Sequence, residues 1–158
     1  MKELKVGLKA PSFSLKNQNG ETVSLKNLEE EYIVLFFYPK DNTPGCSIEA
    51  KNFTSNQKKF TKNSIATFGV SGGDQKSKEN FYKKANLGVT LLADEDGAIG
   101  TKYGAYGDKI FMGKKFIGFH RKTIIIGPDR KIAKIYDKVK PAEHAEEVLD
   151  DILALKES

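Results

Sequence analysis

The sequence predicts an α/β domain built on a mixed central β-sheet flanked by helices. Three observations carry that prediction. Extended and helical patterns alternate along the 158 residues, and strand–helix alternation builds partly parallel sheets covered by helices. The run Tyr32–Tyr38 (YIVLFFY) is apolar on both faces and rich in branched and aromatic residues, which marks a central buried strand. The chain then closes on two strands and a helix, which makes the sheet mixed.

The elements follow in order. Phe13–Leu15 and Glu21–Leu25 flank Asn19-Gly20, a strong hairpin turn signal, and predict an N-terminal β-hairpin. The strand Tyr32–Tyr38 is followed by Pro39–Cys46, a loop rich in Pro, Asp, Asn and Gly. Ser47–Thr61 has helical spacing, with Ile48, Phe53 and Phe60 able to face one side. Thr43 and Pro44 read as an N-cap with proline at the first helical position, which puts Cys46 in the first turn. A strand over Ile65–Ser71 comes next, then a helix over Gln75–Asn86 capped by Gly72-Gly73-Asp74. A short strand, Thr90–Leu92, ends at Asp94–Gly97, and a short helix spans Ala98–Tyr103. The glycine-rich, aromatic stretch Gly104–Gly118 reads as loop. Thr123–Ile126 and Ile132–Tyr136 form a hairpin around Gly127–Arg130. Pro141 opens a last helix through Leu153, with Val148, Leu149, Ile152 and Leu153 as its apolar face. This order is the pattern of a thioredoxin-like fold, and other α/β sandwiches accommodate the same string.

The length suits one domain over residues 1–158, long enough to fold on its own core. With 39% hydrophobic, 10% aromatic and 30% charged residues, the composition is that of a globular protein. The net charge of +5 comes from lysines scattered singly and in pairs, without a basic run. It reads as a solvated surface, and no nucleic-acid partner is expected. The longest apolar runs are too short to span a bilayer, and the first fourteen residues lack a secretory pattern. The expectation is a cytoplasmic protein with no membrane partner. One cysteine cannot form an internal disulfide, which suits a reducing compartment.

That cysteine is the first candidate for chemistry. A free cysteine is usually buried and inert. Cys46, however, follows a buried strand, sits at the end of a Pro/Gly loop and opens a helix. First-turn N–H groups and the helix dipole favour an anion there, and a protein populates a nucleophilic thiolate in this way. The C-terminal end of a central strand is also where α/β proteins bind ligands. Other candidates are weaker. His120 reads as structural or exposed, and His144 as solvated on the polar face of the last helix. Two distant histidines and one cysteine give no metal-ligand spacing, so no metal is expected.

The block Phe37-Tyr38-Pro39-Lys40-Asp41-Asn42-Thr43-Pro44-Gly45-Cys46-Ser47-Ile48-Glu49 places Pro, Thr and Cys at the spacing PxxxTxxC. It resembles the active-site loop of the peroxiredoxins, in detail the peroxiredoxin Q (bacterioferritin comigratory protein) branch. The resemblance continues over Leu91–Asp94 and Gly113–Thr123 and covers nearly the whole chain. It implies a thioredoxin-like fold and a thiol-dependent peroxidase acting on hydrogen peroxide and organic hydroperoxides, with no organic cofactor. Cys46 then resembles the peroxidatic cysteine and Thr43 the hydroxyl that hydrogen-bonds thiolate and peroxide. Arg121 resembles the arginine that stabilises the thiolate and holds the peroxide, and Pro39 the residue that shields it from water. Glu49, one turn after Cys46, matches a family position and either positions loop groups or exploits the helix N-terminus.

The chain departs from that branch at one point. Many members carry a second, resolving cysteine five residues after the first, where Lys51 stands here. Others place it in the next helix, and residues 75–86 contain none. The resemblance therefore implies a one-cysteine cycle with an external thiol reductant: thioredoxin, glutaredoxin or glutathione. Attack by an external thiol requires Cys46 to be accessible, so little unwinding after Cys46 and an open pocket at the thiol are expected. A monomer or weak dimer is expected. The competing reading is a thioredoxin-like redox sensor or binding protein with little turnover.

Overall fold

The computed structural model describes residues 4–158. The N-terminal hairpin is formed by β1 (Ser14–Asn17) and β2 (Thr22–Ser24). Its turn is shaped by Asn17, whose Oδ1 accepts the amide N–H groups of Asn19 and Glu21, and by Gly20 at φ 80°. β3 (Tyr32–Phe37) is buried at every position, as its two-sided apolar pattern requires. Parallel to it runs β4 (Ile65–Ser71), and parallel to that β5 (Thr90–Ala93). β8 (Lys122–Ile126) and β9 (Ile132–Tyr136) close the other edge as the antiparallel hairpin read from the sequence. The seven-stranded sheet has the order β2-β1-β5-β4-β3-β8-β9, a mixed sheet with β3 at the meeting of its parallel and antiparallel parts.

The expected helix over Ser47–Thr61 is two helices, α1 (Pro44–Ser55) and α2 (Gln57–Lys62). They break at Asn56, which leaves helical geometry at ψ 6° while its side-chain amide donates to the Asn52 carbonyl; asparagine competes in this way for backbone groups. α1 starts at Pro44 because the ring presets φ at the first helical position and Thr43 holds the extended N-cap conformation. α3 (Gln75–Lys84) is capped by Asp74, whose Oδ1 accepts the Ser77 N–H at 2.9 Å. α4 (Ala98–Lys102) is short. α5 (His144–Glu157) begins three residues after Pro141, with residues 141–143 in turns.

The expected loop over Gly104–Gly118 is instead a second antiparallel hairpin, β6 (Tyr106–Phe111) and β7 (Lys114–Phe119), outside the main sheet. Met112 and Gly113 form its two-residue turn with φ 51° and 80°, the positive values that match strand twist. The hairpin projects largely into solvent, so no one-sided apolar alternation marked it in the sequence. Its base docks on Gly100, where a Cβ would lie 2.6 Å from the Phe119 ring.

Side chains of β3 and of Tyr38 just after it divide the core. Val34, Phe36 and Tyr38 share one cluster with Cys46, Phe53, Phe60, Phe81 and the apolar face of α5. Ile33, Leu35 and Phe37 share the other with Phe13, Tyr103, Phe119 and Ile124. The helices are thus unequally divided, with α4 and the N-terminal segment on the second face. His144, expected in solvent, is 1% exposed. Its ring lies edge-on to Phe53 and Tyr136, and its nitrogens pair with Thr123 Oγ1 and Glu147. Burial holds its pKa below the ordinary histidine value against the pull of Glu147.

One buried polar cluster fixes the loop between β3 and α1. Asp41 accepts from the Tyr38 hydroxyl at 2.6 Å, from Ser77 Oγ at 2.5 Å and from Lys78 Nζ at 2.8 Å. Lys78 also donates to Ser71 Oγ and the Gly72 carbonyl. Its side chain is 0% exposed and that of Asp41 6%, so the loop is tied to α3 and to the end of β4. Burial depresses the Lys78 pKa, and Asp41 counters that push. Removing one partner of a buried pair strands the other charge at a cost of about 3–5 kcal/mol. Lys78→Met should therefore lower the urea midpoint by a corresponding amount, and adding Asp41→Asn should return much of the loss. An unchanged midpoint in Lys78→Met would show that the pair does not hold the loop.

Candidate active site

Two adjacent strands bring the site together. β3 ends at Phe37, which pairs with Lys122 at the start of β8. Arg121 therefore lies beside the loop that leaves β3, and the loop turns into α1 with Cys46 in its first turn. Arg121 Nη2 donates to Cys46 Sγ at 3.3 Å, and Nη1 to Glu49 Oε1 at 2.6 Å. The planar guanidinium thus spans two groups one helical turn apart, which a point-like ammonium could not do in the same way. Gly45 leaves room for this approach: a Cβ there would lie 3.2 Å from Arg121 Nη2.

The electrostatics are unequal. Glu49 is 0% exposed, Oε1 is held by Arg121, and Oε2 is buried without a hydrogen-bond partner. Burial pushes its carboxyl up to about 7, with Arg121 pulling the other way. Burial likewise opposes the Arg121 charge, but Glu49 and Cys46 outweigh it and hold the guanidinium pKa above its ordinary value. First-turn amides have no helical carbonyl to bond, and Cys46 lies in that turn of α1.

Thr43 and Pro39 lie in the same loop and are each half-buried. The Thr43 side chain makes no helix-capping bond; its hydroxyl donates to the Lys40 carbonyl at 2.9 Å. With that single proton engaged, Oγ1 has lone pairs left to accept a bond. Cys46 is 2% exposed, which corrects the expectation of an open pocket: the first turn of α1 packs the sulfur into the core cluster. His120 is exposed and pairs through Nε2 with the Asp108 carbonyl. Sequence reasoning missed Asp41 and Lys78, because an aspartate in a loop and a lysine in a lysine-rich helix carry no signal of burial. Among the described residues, no group of three or more His, Cys, Asp or Glu is placed to hold a metal ion.

Comparison with known proteins places the chain by sequence and fold. The AhpC/TSA family model matches residues 6–135. The chain is 41% identical over 152 residues to the putative peroxiredoxin bcp of Helicobacter pylori strain J99, covering 96% of this chain and 100% of the relative. Among solved structures, a Cys-to-Ser mutant of Xylella fastidiosa PrxQ superposes with a TM-score of 0.90 at 29% identity, covering 99% of each chain. Mutants of Xanthomonas campestris peroxiredoxin Q, at two different cysteines, superpose with TM-scores of 0.86 at 30% and 31% identity, covering 94% of this chain and 97% and 98% of theirs. The thioredoxin-like architecture is thus shared, while the second cysteine is not, since this chain has one. By sequence and by structure, the chain belongs to the AhpC/TSA family, as a thiol-dependent peroxidase of the peroxiredoxin Q/Bcp branch.

Proposed function

We propose a one-cysteine peroxidase cycle centred on Cys46. The observation that carries it is the Arg121 guanidinium, 3.3 Å from Cys46 Sγ and anchored at 2.6 Å on buried Glu49. The Cys46 thiolate attacks the hydroxyl oxygen of hydrogen peroxide or an organic hydroperoxide. An S–O bond forms, the O–O bond breaks, and the departing oxygen leaves as water or an alcohol after taking a proton. Negative charge moves from sulfur to the leaving oxygen. A fixed guanidinium and first-turn N–H groups stabilise it along that path without reorganising. Thr43 Oγ1, its own proton engaged by Lys40, accepts the peroxide O–H and orients the substrate. Pro39 screens the sulfur from bulk water. The product is a sulfenic acid on Cys46, reversible by thiols.

No second cysteine exists in the chain to resolve that acid. An external thiol, from thioredoxin, glutaredoxin or glutathione, forms a mixed disulfide with Cys46 and releases water. A second thiol then frees Cys46 and leaves as the oxidised reductant. Because Cys46 is buried, this half of the cycle requires the first turn of α1 to move. Such a cycle belongs in the cytoplasm, where thiol pools are reduced, and in a single domain over residues 1–158 acting as a monomer or weak dimer.

The direct experiment is peroxide consumption with the three reductants offered in turn. Wild type should turn over, Cys46→Ser should not, and Arg121→Ala should fall by about 10²–10³-fold, the size of losing one oxyanion donor. Oxidation of Cys46 without turnover in any thiol would favour the redox-sensor reading instead.

Glu49 yields a second expectation, with a definite sign. Its folded pKa of about 7 lies above the ordinary 4.5. Between those values the folded state holds the proton and the unfolded chain does not, so stability falls as pH rises through that window. Glu49→Gln, which cannot ionise, escapes the penalty. Its urea midpoint relative to wild type should rise between about pH 5 and pH 8. A relative midpoint that falls would mean that the Arg121 pair outweighs the burial of Glu49.

A further inference from the structure

We propose that the face of the β6–β7 hairpin carrying Lys109, Phe111, Lys114 and Phe116 docks the reductant, a dithiol protein whose apolar surface is rimmed by carboxylates. The inference rests on the peroxidase reading and adds to it the class of partner and the place where it binds.

Strand register puts Lys109 opposite Phe116 and Phe111 opposite Lys114, and directly paired residues share one face of a hairpin. Phe111 is 67% exposed, Phe116 46% and Met112, at the turn, 87%. Clustered exposed apolar side chains of this kind mark interaction sites. Lys109 Nζ lies 5.9 Å from the centre of the Phe116 ring. The same ammonium donates to the Phe119 carbonyl at 2.6 Å, two residues before Arg121. The charges of Arg121 and Cys46 act on it after burial does. This face therefore ends two residues from the arginine that contacts the sulfur. Across the site, Ile48 on α1, two residues after Cys46, is 48% exposed.

Charge and chemistry select the occupant. A second copy of this chain would set Lys109 and Lys114 against the same lysines, on a molecule of net charge +5. An anionic membrane would match the charge but brings no thiol to a site whose cycle requires one. A protein thiol with an acidic rim satisfies both. Its thiolate attacks Cys46 Sγ of the sulfenic acid, an S–S bond forms and hydroxide leaves as water. The partner's second thiol then attacks its own sulfur in the mixed disulfide, releases the Cys46 thiolate and leaves as an intramolecular disulfide.

The test follows one turnover in two halves, with an acidic thioredoxin and, separately, glutathione as the reducing probes. In Phe111→Ser/Lys114→Glu, reduction of oxidised Cys46 by thioredoxin should slow by about tenfold or more. Added salt should slow the wild-type reaction, as expected for steered association. Oxidation by peroxide and reduction by glutathione should stay within about twofold of wild type, because neither uses a docked protein surface. The inference is overturned if thioredoxin and glutathione rates fall together, if neither changes, or if thioredoxin shows no advantage over glutathione in wild type. Vesicle binding that the double variant abolishes, with the thioredoxin rate intact, would assign the face to a membrane. A wild-type dimer lost in the variant, with that rate intact, would assign it to self-association. Failure of peroxide to oxidise Cys46 at all would instead sink the peroxidase reading beneath the inference.

Discussion

The site depends on one guanidinium serving two neighbours. Arg121 meets Cys46 with one nitrogen and Glu49 with the other. Two groups able to carry negative charge, both buried, face a single cation that is itself only partly exposed. Burial weakens the competition by pushing the Glu49 carboxyl up to about 7, against the pull of Arg121. Glu49 Oε1 fixes the position of one guanidinium nitrogen, which leaves the other directed at the sulfur.

The rest of the fold makes that arrangement possible. β3 must be central and buried so that its end delivers the loop to the edge of the core, and its two-sided apolar sequence ensures this. β8 must pair with β3 in a register that starts beside the same edge, and Phe37 opposite Lys122 sets it. The Asp41–Lys78 pair holds the loop between β3 and α1 against α3. His144 ties the start of β8 to α5 through Thr123. Chemistry at one thiol thus rests on two anchors, each a polar group buried with its partner, where geometry is fixed by hydrogen bonds that water cannot easily replace.

Much of this was legible in the sequence. Tyr32–Tyr38, Ile65–Ser71 and the closing strands carry their pattern in the side chains themselves, and Pro44 marks the start of α1. Cys46 and Arg121 were found as candidates, 75 residues apart, and the structure brings them into contact. What escaped notice has a common cause. Along the two strands of hairpin β6–β7 only Phe119 is buried, so burial did not imprint a period on it. Lys78 and His144 are polar residues satisfied by distant partners, Asp41 and Thr123, which local spacing cannot reveal. Asn56 breaks a continuous helical pattern through its own side chain. The burial of Cys46 also escaped notice, since the sequence shows that a helix begins there but not how tightly its first turn packs.

The central claim is that Cys46, supported by Arg121, is the atom that takes the peroxide oxygen. The most direct measurement is mass spectrometry of the intact protein after one equivalent of hydrogen peroxide, with a sulfenic-acid trapping reagent present. The account predicts near-stoichiometric trapping on Cys46 in wild type and much less in Arg121→Ala at equal time. A wild-type Cys46 that remains an unmodified thiol while the peroxide persists would contradict it.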